Sequence, residues 1–127
     1  MASQSPKRIL VVDDEEEALG HLKSILEHAH FEVSAATNGK DALELARSIL
    51  PDLIVMDIVM PGIEGGDVAS VLSEDPATQD IPIIFLTGIL TKEEQLLGKK
   101  TGKYRVIAKP IAARELLGLI VQALSGS

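Results

Sequence analysis

A chain of 127 residues with 46% hydrophobic residues is long enough for one core and too apolar for a disordered segment. It contains no cysteine, which excludes disulfides, thiolate metal sites and thiol catalysis, and which fits a reducing compartment. The net charge of −7 is unevenly spread: residues 1–87 hold 5 Lys/Arg against 16 Asp/Glu, whereas residues 88–114 hold 7 Lys/Arg against Glu93 and Glu94.

An acidic domain with one basic segment is a poor general nucleic-acid binder, and the segment suits solvent or an acidic protein partner. Met1 to Pro6 is polar and lacks the apolar stretch of a signal peptide. No apolar run approaches membrane-spanning length. The expectation is a soluble cytoplasmic domain.

The apolar run "RILVV" at Arg8 to Val12 predicts a strand buried on both faces. Ala18, Leu22, Ile25, Leu26 and Ala29 then fall at helical spacing, and Glu15 to Glu17 favour the positive end of that helix. Phe31 to Ala36 predicts a second strand. A helix with the stripe Ala42, Leu45, Ala46 and Ile49 follows, closed by Pro51. Leu53 to Met56 is the third strand, "MPGIEGG" a loop, and Val68, Val71 and Leu72 mark the next helix. After the loop "EDPATQD" comes a fourth strand, Ile81 to Leu86. Thr91 to Lys99 predicts a weak helix, since Gly98 costs about 1 kcal/mol relative to Ala. Tyr104 to Ala108 is a fifth strand, and Leu116, Leu117, Ile120, Val121 and Leu124 give the last helix a broad apolar face.

Five alternations of strand and helix imply an α/β fold, a doubly wound parallel sheet with both faces covered. Ligands of such sheets bind beyond the carboxyl ends of the strands. Asp13 and Asp14 follow strand one, Asp57 strand three, Thr87 strand four, and Lys109 with Pro110 strand five. Each alone reads as a helix cap or a solvated side chain. Together they put complementary polar types on one rim. Three carboxylates repel one another unless a hard cation such as Mg²⁺ sits among them. Lys109 offers a movable positive charge to a phosphoryl oxygen and Thr87 a hydroxyl donor. The set describes phosphoryl transfer to a carboxylate nucleophile.

The segments "VVDDE" at 11–15, "MDIVMPGIEG" at 56–65, "FLTG" at 85–88 and "KP" at 109–110 resemble the receiver domain of bacterial two-component response regulators. The resemblance covers about Lys7 to Leu124, giving a domain at 7–124 with flexible tails at 1–6 and 125–127. It implies a (βα)5 flavodoxin-like sheet of order 2-1-3-4-5. It implies that Asp57 accepts a phosphoryl group from a sensor histidine kinase, a phosphotransfer protein or a small phosphodonor. Asp13 and Asp14 would hold the acid pocket. Asp14, Asp57 and the backbone carbonyl of Val59 would ligate Mg²⁺. Thr87 and Lys109 would contact the phosphoryl oxygens, with a cis bond before Pro110 aiming Lys109 inward. The surface around residues 88–114 would switch and dock a downstream effector or output domain, without membrane or direct nucleic-acid binding. Such a domain catalyses only its own phosphorylation and dephosphorylation.

One expected feature is missing. Receivers carry an aromatic residue three positions before the strand-five Lys, where this chain has Val106, and Tyr104 lies two residues earlier. The side chains flanking the path of hydrolytic water in such domains correspond to Val59 and Ile89, both apolar and branched. The strongest alternative is a degenerate receiver that binds partners without phosphorylation. A nucleotide-binding domain would need glycines where "VVDDEEEAL" has acids. A flavodoxin would need more aromatic residues than Phe31, Phe85 and Tyr104. A haloacid-type phosphohydrolase would need a second Asp where Val59 stands. His21, His28 and His30 read as solvated surface. The last helix runs out in "LSGS", compatible with a single-domain regulator or with a receiver of a longer protein.

Overall fold

A computed structural model of the chain describes residues 6–57, 65–87, 104–108 and 112–124; for residues 65, 66, 87, 104–106 and 108 it describes the backbone. The strands are β1 (Arg8–Val12), β2 (Glu32–Ala36), β3 (Leu53–Asp57), β4 (Ile83–Thr87) and β5 (Tyr104–Ala108). The helices are α1 (Glu16–His28), α2 (Gly39–Ile49), α3 (Gly65–Glu74) and α4 (Ala113–Leu124). The strands form one parallel sheet in the order β2-β1-β3-β4-β5, as expected. The helix expected at Thr91 to Lys99 lies outside the described residues.

Strand alternation sorts the core into two layers. Ile9, Val11, Leu53, Val55, Ile84 and Leu86 face α1 and α4, where Leu19, Leu22, Leu26, Leu116 and Ile120 meet them. Leu10, Val12, Ile54, Met56, Ile83 and Phe85 face α2 and α3. There Ala42 and Ala46 keep α2 close, and Val68, Ala69 and Leu72 fill beneath α3. Truncating a core leucine such as the fully buried Leu26 costs about 2–5 kcal/mol. β2 at the edge is only partly covered, with Glu32 and Ala35 exposed.

Element ends differ from the sequence reading for reasons of backbone hydrogen bonding. β2 starts at Glu32 because the Phe31 N–H donates instead to Leu26 C=O, closing α1. β4 starts at Ile83 because Ile81 N–H donates to Thr78 C=O and Pro82 has no N–H. Pro82 still joins the sheet through its carbonyl, which accepts from Ile54 N–H at 3.0 Å. At their other ends β3 and β4 run one residue further than expected, so Asp57 and Thr87 are the last residues of these strands rather than the ones after them.

Two helices present different stripes from those read in the sequence. In α1 the buried residues are Leu19, Leu22 and Leu26, while Ala18 and Ile25 are half-buried. In α4 Leu116 and Ile120 are buried but Val121 is 59% exposed, so its apolar contact is narrower than the composition implies.

Candidate functional site

The carboxyl rim is built by register. Val12 pairs with Met56, so the residues that follow, Asp13 and Asp57, come side by side at the ends of β1 and β3. Asp57 pairs with Leu86, and the next pair outward is Thr87 with Ala108. The backbone thus sets Thr87 at the same rim, on the strand adjacent to Asp57. Lys109 follows Ala108 in sequence. Lys109, Pro110, Val59 and Ile89 lie outside the described residues, as does most of the basic segment 88–114.

Asp13 is 1% exposed and Asp57 9%, whereas Asp14 is exposed. Two backbone bonds anchor Asp13. Its N–H donates to Ala36 C=O at 3.2 Å, and its Oδ1 accepts from Glu15 N–H at 3.0 Å. One carboxylate oxygen from each of Asp13, Asp14 and Asp57 lies within 4.8 Å of the other two. Two unit charges at that spacing repel by about 1 kcal/mol in water and about 3.5 kcal/mol at an effective dielectric constant of 20. The three oxygens are near enough to share one hard dication if they draw in toward bonds of about 2.0–2.1 Å. A hard dication fits the donor type, and its charge would offset the repulsion.

Of the six site residues expected from the sequence, Asp13, Asp14, Asp57, Val59, Thr87 and Lys109, the structure brings Asp13, Asp14 and Asp57 together and sets the Thr87 backbone beside them. What sequence reasoning missed are the backbone anchors. The Asp-x-Glu spacing at 13–15 is a signal for the Glu15 bond, because an Asp side chain commonly caps the N–H two residues on. Ala36 carries no signal, since its carbonyl matters only once β2 lies beside β1. Tyr104 stands at the very start of β5, paired with Ile83, while Val106 pairs with Phe85.

The family model described as "Response regulator receiver domain" matches residues 9–121. The chain belongs to that family. Its fold and acid pocket are those of a signalling receiver, a module that works with histidine kinases and output effectors. The receiver is 37% identical over 119 residues to Protein PilH of Pseudomonas aeruginosa, covering 94% of this chain and 98% of PilH. It is 38% identical over 104 residues to Response regulator PleD of Caulobacter vibrioides, covering 82% of this chain but 23% of PleD. It thus spans about a quarter of that relative. Among solved structures, a response regulator from Desulfuromonas acetoxidans superposes with a TM-score of 0.81 at 34% identity, covering 94% of this chain and 97% of the other. No helix among the described residues is long and apolar enough to cross a membrane.

Proposed function

We propose that Asp57 is the phosphoacceptor of this receiver, and that Asp13, Asp14, Asp57 and the Val59 carbonyl hold one Mg²⁺ beside it. The observation that carries this reading is the three-carboxylate cluster at the end of the central strand β3, within 4.8 Å and with Asp57 almost covered. Bound Mg²⁺ would supply charge neutralisation for the carboxylates and the incoming phosphoryl oxygens. An Asp57 oxygen attacks phosphorus in line. A new O–P bond forms while the bond from phosphorus to the donor breaks, and its electron pair leaves with the donor's imidazole nitrogen or acyl oxygen. Thr87 donates its hydroxyl to a phosphoryl oxygen and Lys109 its ammonium to another.

The receiver unit runs over 7–124, in keeping with the family match at 9–121. It works in the cytoplasm, takes its phosphoryl group from a sensor histidine kinase, a phosphotransfer protein or a small phosphodonor, and passes the signal to an effector or output domain. It turns over no external substrate. The surface around residues 88–114 changes on phosphorylation and docks an acidic partner, given its basic excess.

Incubation with a small acyl phosphate and Mg²⁺, followed by intact-mass measurement, tests the acceptor. A phosphoryl adduct is expected on the wild type and none on Asp57→Asn; an unmodified wild type would falsify the active reading and leave the degenerate one. Hydrogen exchange with and without a phosphoryl mimic tests the surface. The largest change is expected at residues 88–106, and identical exchange in both states along the whole chain sinks that part.

A further inference from the structure

We infer that Asp13 is a positioning residue: its carboxylate fixes the backbone at Asp14, and this fixation, beyond its own charge, brings the exposed Asp14 carboxylate to the cation. The inference rests on the Mg²⁺ site proposed above. The bond from Glu15 N–H to Asp13 Oδ1 closes a ring through Asp13, Asp14 and Glu15, the side-chain counterpart of a β-turn with Asp14 at its centre. Asp13 can act as the fixed point because it is buried and tied by its own N–H to Ala36 C=O at the end of β2. Glu15, the N-cap of α1, makes no side-chain capping bond, so the turn is held from the Asp13 side rather than by the helix cap. An exposed aspartate on an unheld turn would have to be ordered by the cation itself. Ordering the backbone of one residue is worth roughly tenfold in affinity.

Amide-detected NMR titration of the whole chain with MgCl₂ separates position from charge. Asp13→Asn and Asp13→Ala remove the same charge, but only Asn keeps an acceptor for Glu15 N–H. Mg²⁺ is expected to bind Asp13→Ala about tenfold more weakly than Asp13→Asn. The Glu15 amide should exchange slowly in wild type and Asn and fast in Ala, with Leu10–Val12 and Ile54–Met56 protected throughout as the sign of an intact core. Asp13→Glu keeps the charge and displaces the acceptor, and it carries the test if Ala does not fold. It should bind Mg²⁺ no more tightly than Asp13→Asn. Equal Mg²⁺ affinity in Asn and Ala, or near wild-type affinity in Glu, overturns the positional role, as does a slow Glu15 amide in Ala. A wild type whose amides near Asp13, Asp14 and Asp57 do not respond to Mg²⁺ fails differently, removing the cation site and the inference with it.

Discussion

The two rims of the sheet differ in which charges they bring together. At the carboxyl rim three aspartates gather within 4.8 Å, two of them covered. At the amino rim Arg8, Asp52 and Glu32 meet opposite charges or backbone groups. Asp52 Oδ2 accepts from Arg8 N–H at 2.8 Å, Asp52 N–H returns a bond to Arg8 C=O, and Arg8 Nη1 donates to Ile49 C=O at the end of α2. Arg8 Nε also lies 3.8 Å from Glu32 Oε2, a contact too exposed to add much. Both rims cap the same strands, β1 and β3. The difference teaches how one sheet divides its charges: one end ties opposite charges across neighbouring strands, the other gathers like charges at the place proposed above for a cation and a phosphoryl group.

The largest effect expected from disturbing that division is kinetic. Loss of the phosphoryl group requires water to approach Asp57 in line. The residues that flank this approach in receivers correspond to Val59 and Ile89, which cannot orient water by hydrogen bonding. Slow self-dephosphorylation is therefore the expected outcome. Val59→Asn combined with Ile89→Glu is expected to shorten the lifetime by roughly tenfold to a thousandfold, the range that positioned polar groups usually supply. The readout is decay of the phosphorylated protein after donor removal. A double variant that decays at the wild-type rate places the barrier elsewhere.

Stability sharpens the comparison further, because the same kind of substitution should have opposite signs at the two rims. Without Mg²⁺, Asp57→Asn removes one of three mutually repelling charges and should raise the unfolding free energy by about 1–3 kcal/mol. Asp52→Ala removes the acceptor of Arg8 N–H and should lower it by about 1 kcal/mol. Urea unfolding checks both. Adding Mg²⁺ should stabilise the wild type and close most of its gap to Asp57→Asn. Two destabilising substitutions would mean that repulsion among the three aspartates does not govern stability at the carboxyl rim.

The carboxyl rim was legible in the sequence because its residues are chemically out of place. A run such as Leu53 to Met56 has no use for a carboxylate, so Asp57 draws notice, and four such strand ends support one another. The amino rim was not legible. Arg8 and Asp52 are 44 positions apart, and each is ordinary where it stands. Thr78 was hidden for the same reason. It looked like part of a polar loop, yet it is 1% exposed and its Oγ1 donates to Leu72 C=O at 2.7 Å, satisfying a carbonyl near the end of α3. Helix stripes were legible in period but not in phase: the leucine at position 19, rather than the alanine at 18, turns to the sheet. Periodicity names the set of positions that share a face, and the neighbouring layer decides which of them it covers.

The smallest effect concerns the amino-rim end of α1, which is closed by a backbone motif. His30 N–H donates to Glu27 C=O and Phe31 N–H to Leu26 C=O, the paired bonds of a Schellman ending, and Phe31 packs against the cluster that holds Leu26. That ending requires a left-handed residue, and His30 has φ 72°. A side chain with a Cβ pays about 1–2 kcal/mol for this conformation, which glycine avoids. Glycine also loosens the unfolded chain, which offsets about 0.4–1 kcal/mol of the gain. His30 is exposed, so little burial is lost with its ring. The net expectation for His30→Gly is a gain of roughly 0.5 kcal/mol, a rise of about 1–4 °C in the unfolding midpoint. His30→Ala keeps the strain and serves as the control, with no comparable rise. If alanine stabilises as much as glycine, the effect comes from losing the imidazole rather than from relief at the left-handed turn.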